Sequence, residues 1–508
     1  MGDIDESEGK DRVLKEKKEK GWRRFLTAML IGIGAATMFG TPVSAASTDK
    51  TTEHEIAQDQ AGDELARQQQ GKHTEQAVRA DRVTVPVTDV TIESSSSLSE
   101  AAVEKLLPAL RNDQVNIHEL SKEIQLVNDT GAAKLNATFV SNHDNTFRVK
   151  VANEARDNDR VTLAVANTGN DYTGDWRTTL SYINNNISKR ADTLGVAYVT
   201  SPDEHFDDVK QAAVSYRTLL PHAGDALTFS YSYSNVDNGN ISPSAYRSFL
   251  DYQAAGLGQN VGLRYQHYLA YTSREKDALT AALDYRYSKI TSSLSMAGQT
   301  INNPDQSYDM MLASLGFEHN NRDLYHSFSY QVGVTTNLGG DDDDYEMVAP
   351  GSKQHFTFGS ADVNYQLRSK SDWLLNTRLR GQYTDDHMPI LAQLGAGGMY
   401  TVRGFAGTIA SADKGFIGNL ELYTPEVAPN LRFLAFLDYG NLTNNTSGKH
   451  YEDLASTGLG LRYTDAKNHI ALAVDYAKII NDVSDETLVS SAPHANHRRW
   501  NVSFSISF

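Results

Sequence analysis

Cysteine is absent from the 508 residues, so the chain has neither a disulfide framework nor thiolate chemistry. Proline is scarce, with 12 residues beside 25 tyrosines, and no long helical periodicity appears beyond about residue 130. No apolar run reaches the roughly 20 residues that a spanning helix needs. Together these absences exclude a helical bundle in lipid. A basic surplus is missing as well, and a formal net charge of -17 argues against nucleic acid as a partner.

What is present begins with a basic leader. Lys15, Lys17, Lys18, Lys20, Arg23 and Arg24 precede the apolar run FLTAMLIGIGAATMFG, and Val43-Ser44-Ala45 forms a small-residue exit. A positive n-region, a short apolar core and an A-x-A-like site define a secretory signal, here residues 1–45. Residues 46–81 are rich in Gln, Glu, Ala and Lys and have too few large apolar side chains to build a core. They read as a polar linker or, because 54–70 holds good helix formers, as a polar helix in a wet place.

Residues 82–154 change character and order as strand, helix, helix, strand, strand. Ser97 with Glu100, and Asn116 with Glu119, carry the spacing of two capping boxes. Val103, Leu106, Leu107 and Leu110 make one apolar stripe and Leu120, Ile124 and Val127 another, while Leu135, Ala137 and Phe139 alternate with polar neighbours. The order and size of this small α+β unit resemble a POTRA domain, a periplasmic module.

From residue 160 to 508 the period is two. Trp500, Val502, Phe504, Ile506 and Phe508 alternate with Asn501, Ser503, Ser505 and Ser507, and Leu279, Ala281, Leu283, Tyr285 and Tyr287 alternate with Thr280, Ala282, Asp284, Arg286 and Ser288. Strands of about ten residues with one apolar and one wet face, ending in aromatics, fit a membrane barrel. About sixteen such segments occur, the even number that bacterial barrels have. Long connections near 238–256, 290–306, 339–352, 386–413 and 482–497 fall on alternate turns and are assigned to the outer side.

The connection 386–413 holds GAGGMYTVRGFAG, with one cation, Arg403, among glycines. In LRFLAFLDYGNL, the outward Leu431, Phe433, Ala435, Leu437 and Tyr439 force Arg432, Phe436, Asp438 and Gly440 inward. A lumen carboxylate needs a partner, which an arginine from an inward-folded loop would supply.

Val402-Arg403-Gly404-Phe405 resembles the VRGF/Y loop tip, and Phe436, Asp438 and Gly440 the F-x-D-x-G strand motif, of the barrel superfamily that includes BamA. RVTLAVANTGNDYTGDWRTTLSY, LASTGLGLRYT and HIALAVDYAK are similar to the two-partner secretion transporters, the ShlB/FhaC/HecB haemolysin secretion/activation family. The resemblance implies an outer-membrane barrel in a diderm bacterium that secretes a partner exoprotein such as a haemolysin or haemagglutinin-like adhesin, with activation of that partner as an option the family name carries. It uses no cofactor or metal, performs no catalysis, and touches outer-membrane lipid and the barrel assembly machinery, whose signal includes the terminal Phe508. It also implies that Arg403 meets Asp438. The family usually carries two POTRA modules and a plug helix, whereas this chain has room for one module, with 46–81 as plug helix or linker.

Two other functions compete with secretion. A BamA-type assembly factor generally has more modules. An outer-membrane hydrolase would rest on TDDH at 384–387, where carboxylates and a histidine near a strand top would activate water. DDDDYE at 341–346 reads as a solvated loop tip. Arg264, Arg286, Arg378, Arg380, Arg432 and Arg462 face the wet side, where they either make the pore wall basic or pair with acids such as Asp284, Glu421 and Asp475.

Overall fold

The computed structural model describes residues 84–508 apart from 143, 145, 171, 221–223, 241–249, 297–298, 406, 447–450 and 483–496. The expected signal and linker therefore lie outside the described residues.

The small domain contains β1 (Thr84–Ile92), α1 (Glu100–Leu106), β2 (Gln114–Asn116), α2 (Ile117–Thr130), β3 (Ala133–Ser141) and β4 (Phe147–Ala155). Its sheet runs β2-β1-β4-β3, with β1 parallel to β4. Val103, Leu107, Leu120, Val127, Val149 and Val151 form the core, as the two helical stripes and the strand alternation require. Asn116 caps α2, its side chain accepting from the amides of His118 and Glu119. The first cap is Ser99, which accepts from the Ala102 amide, and not Ser97. Ser97 is buried and bonds to the Arg156 backbone instead, because the helix begins two residues later than the Ser97–Glu100 spacing suggests.

Behind the domain stands the barrel. Its strands are β5 (Asp159–Ala166), β6 (Arg177–Asn184), β7 (Thr193–Thr200), β8 (Val209–Leu220), β9 (Asp225–Asn240), β10 (Leu250–Tyr271), β11 (Glu275–Met296), β12 (Gln299–Asn302), β13 (Gln306–Arg322), β14 (His326–Asn337), β15 (Thr357–Arg368) and β16 (Leu374–Tyr383). A two-strand ribbon in a loop follows, β17 (Leu394–Ala396) and β18 (Ala410–Ala412). The wall then resumes with β19 (Lys414–Tyr423), β20 (Leu431–Thr443), β21 (Tyr451–Asp465), β22 (Ile470–Asn481) and β23 (Arg498–Ser507).

Sixteen of these strands close one antiparallel ring, β23 pairing with β5, and β12 only lengthens the β11–β13 hairpin. The wall alternates as two solvents demand. In β20, Phe433 and Leu437 are exposed outward while Arg432, Leu434, Phe436 and Asp438 are buried inward. Two connections are shorter than the sequence indicates. Residues 250–255 belong to β10, and β11 runs on to Met296, so this hairpin rises well past the nine to eleven residues that span a bilayer. The ladder continues because paired backbone groups on twenty-two-residue strands remain satisfied outside the lipid.

The small domain sits against one end of the ring. Leu126 and Val127 of α2 share a core cluster with Leu219, Tyr268, Tyr271 and Ala278 of the barrel, and Asn186 donates to the Ser97 carbonyl at 2.7 Å.

Candidate functional site

The loop between β16 and β19 is built from its base upward. Asp413, fully buried, accepts from His387 Nδ1 and the Met388 amide, both at 2.8 Å, and from the Asn445 amide at 2.7 Å. Thr384 Oγ1 donates to the Thr357 carbonyl, and Asp386 accepts from the Thr357 amide. The 384–387 stretch is thus engaged in tying the loop to the wall, which accounts for its carboxylates and histidine without chemistry on a substrate. Beyond a short turn at 390–392, β17 and β18 carry the chain to its tip. Two glycines there have no substitute. At Gly397 (φ +114) a Cβ would stand 2.5 Å from the Gly407 carbonyl oxygen, and at Gly404 (φ +100) it would press on Ile479 at 3.0 Å.

The tip turns inward. Arg403 Nε and Nη2 donate to the two oxygens of Asp438 at 2.7 and 2.8 Å, a bidentate pair, and the Arg403 amide donates to the same carboxylate at 3.1 Å. Nη1 reaches Glu421 at 2.7 Å and Asp475 at 3.3 Å. The guanidinium lies over the Phe436 ring, 3.6 Å from its centroid. Asn419 adds a donor to Asp438 at 2.8 Å, and Arg462 holds Asp475 through 2.6 and 2.9 Å contacts. Two arginines therefore face three carboxylates in a space from which Arg403 (4 % exposed) and Asp438 (0 %) have lost nearly all water. Val402 and Phe405 flank the cation and sink into an apolar cluster with Ile417, Leu442, Leu454 and Ile479 of the wall. Gly440 leaves room for Val402 and Ala396.

The structure thus brings together Val402, Arg403, Gly404, Phe405, Phe436, Asp438 and Gly440. Glu421 and Asp475 join them as direct partners of Arg403, beyond the pairing with wall arginines that the sequence suggests. Gly458 and Gly460 of β21 were not singled out at all. A Cβ at Gly458 would lie 2.6 Å from Phe436 Cζ, and one at Gly460 2.0 Å from Asp475 Oδ1. The alternation in TGLGLRY was the available signal, since glycine at two successive inward positions marks a close approach.

The other wall arginines are engaged rather than free. Arg264 meets Glu318 at 3.2 Å, Arg378 and Arg380 share Asp362, and Arg432 reaches Asp372 at 2.7 Å. Arg286 lies beside Asp284 and donates to the Leu391 carbonyl at 2.7 Å. These contacts favour the pairing alternative, with Asp362 shared between two arginines and Arg286 bonded to a neutral carbonyl. The stretch at 341–346 is likewise no simple solvated tip. It starts α3 (Asp342–Val348), capped by Asp341, and its Tyr345 is fully buried. Phe508 lies away from the site at the ring closure, exchanging backbone bonds of 2.9 and 3.1 Å with Val161 while its side chain points outward, 75 % exposed.

Residues 145–463 match the family model of the haemolysin secretion/activation protein ShlB/FhaC/HecB. The chain belongs to that family. It is a two-partner secretion transporter of the outer membrane, which secretes a partner exoprotein, and its small domain is a periplasmic POTRA-like module. The matched span contains both Arg403 and Asp438. Among curated relatives, the chain is 21% identical over 422 residues to the heme/hemopexin transporter protein HuxB of Haemophilus influenzae (strain 86-028NP), covering 78% of this chain and 71% of HuxB. The solved CdiB from Acinetobacter baumannii superposes with a TM-score of 0.65 at 19% identity, over 84% of this chain and 74% of that one. CdiB from Escherichia coli gives 0.62 at 15%, over 90% and 98%. At these identities the solved structures speak for the fold, and the family membership speaks for transport in place of barrel assembly or hydrolysis.

Proposed function

We propose that this transporter takes an unfolded haemolysin- or adhesin-like exoprotein from its periplasmic module into a lumen organised by the Arg403 anchor. The observation that carries the reading is that anchor: a loop arginine buried among three wall carboxylates inside a secretion barrel. Its job is to hold the inward loop in one place, so that the moving chain meets a defined wall. Removing one partner of a buried pair costs about 3–5 kcal/mol, most of it from the charge left behind. The wall, held by its strand ladders, survives that loss while the loop does not stay seated. Arg403→Ala is therefore expected to reach the outer membrane in near-normal amount and to lose most secretion. Asp438→Ala should match it, and the double variant should be little worse than either, since all three delete one contact. Exoprotein in the medium, measured against barrel level, decides it. Normal secretion by Arg403→Ala, or simple addition of the two losses, would overturn the reading.

Recognition in the periplasm is assigned to strand addition on β3, an edge of its sheet. The outward backbone groups of Leu135 are already taken by the Asn128 side chain, at 2.7 and 3.0 Å. Those of Ala137 and Phe139 point the same way, two and four residues on, and offer the exoprotein a short open ladder.

A further inference from the structure

The inward loop is held on two walls of the barrel by two different kinds of force. Arg403 fixes its second half to β19, β20 and β22. Its first half lies across the lumen, where Arg286 of β11 grips the Leu391 carbonyl and where Met388 and Ala392 enter an apolar cluster with Tyr308 and Met310 of β13. In the ring, β11 and β22 stand eight strands apart out of sixteen, so the loop crosses the lumen as a strap.

The same cluster receives a second loop from outside. Tyr345 of α3 packs edge-on against Tyr308, with ring centroids 6.0 Å apart. Its hydroxyl donates to the Asp309 carbonyl at 2.7 Å and accepts from Asn337 Nδ2 at 2.9 Å. Asp413 tethers His387, Met388 and Gln393; between these tethers the outer mouth is closed on this side by apolar packing and by bonds to neutral groups, which water can replace as they part. On the other side, lifting the strap would strand an arginine and three carboxylates.

Resting on the transporter reading above, we propose that the strap has one fixed end and one moving end. The Arg403 half stays on the wall during transport. The turn 389–392, hinged where Asp413 holds His387 and Met388, opens together with the α3 loop, and Arg286 and Tyr345 are the positioning residues that keep this outer gate shut.

The gate can be tested without any exoprotein, by planar-bilayer conductance of the purified full chain. Arg286→Ala and Tyr345→Ala are each expected to raise mean conductance several-fold while heat-modifiable gel mobility still reports a folded barrel. Arg286→Lys, which keeps a donor for Leu391, should return toward the parent, and Tyr345→Phe should lie between parent and Tyr345→Ala. Conductance unchanged in all four would overturn the gate.

The fixed end is tested by hydrogen exchange on the purified full chain. In Arg286→Ala the backbone amides of 390–393 should exchange faster than in the parent, while that of Arg403, which donates to Asp438, keeps its protection. A like rise at Arg403 would show that the whole strap moves and would overturn the fixed end. Normal secretion by Arg403→Ala would instead sink the transport role of the anchor and leave the conductance result to judge the gate by itself.

Discussion

Leu283 and Ala282 are neighbours in β11 with different solvents. Leu283 is 43 % exposed on the outer face, and Ala282 lies on the lumen side, opposite Arg264 and Ser314. A cation at 283 enters lipid near the middle of the strand and costs roughly 2–4 kcal/mol, whereas one at 282 meets the wet side. Leu283→Arg should therefore lower the yield of heat-modifiable barrel, and Ala282→Arg should not; equal yields would contradict the assignment of faces. The anchor makes its own demand at this scale. Gly458→Ala places a methyl 2.0 Å from the Tyr476 carbonyl oxygen of β22 and 2.6 Å from the Phe436 ring, so the β21–β22 ladder and the ring beneath Arg403 must both give way. Secretion and barrel yield should fall together, and a proteolysis assay on the barrel that remains should find the 386–413 loop more easily cut. Asp438 was legible in the sequence because strand alternation forced it inward. Arg286 as a gate residue was not, because its partner is a backbone carbonyl, which leaves no mark in sequence.

At the scale of elements, the small domain carries a titrating group of its own. The Glu123 carboxylate of α2 accepts from the Ala109 amide at 3.1 Å, and burial outweighs that bond and pushes its pKa up to about 7. A carboxyl raised on folding favours the protonated folded state. Its contribution is complete below the unfolded value near 4.5 and is lost as pH rises through about 7. The residues 84–155, expressed as a separate domain, should melt at a lower temperature at pH 8 than at pH 5 by up to about 3 kcal/mol of stability. Glu123→Gln should remove most of that dependence; an unchanged pH profile in the variant would rule the group out. On β3, Ala137→Pro removes an outward donor without touching the ladder to β4, a change an edge strand tolerates. Secretion should drop while barrel level and domain circular dichroism hold. The elements themselves were readable where periodicity was complete, as in α2 and β20. The first cap was misplaced because Ser97 and Ser99 both offer a hydroxyl near the helix start, and only the tertiary bond of Ser97 to residue 156 separates them. α3 hid inside an acid run, since charge suggested water and the single buried Tyr345 gave no period.

For the whole molecule, strand number and the placing of long connections on one side were legible because two solvents act on every strand alike. The strap was not, since its course across the lumen depends on contacts between segments remote in sequence. The ring closure adds a consequence in time. β5 and β23 are the first and last strands of the ring in chain order, and Thr162 Oγ1 meets Ser507 Oγ across 345 residues. Their register holds five residue pairs, from Ser503 with Ala166 to Ser507 with Thr162, and the Asn167 side chain prolongs it by bonding to the Trp500 carbonyl and the Val502 amide. Nothing can close until the final residues have left the ribosome and crossed the inner membrane, so the chain spends its whole passage with two unpaired edges. Deleting 498–508 should give no smaller barrel but an open sheet prone to aggregate, recovered in inclusion bodies or degraded before insertion. Completion of the ring is a single late event, and the lifetime of the open-edged chain in the periplasm sets how much of it must be escorted.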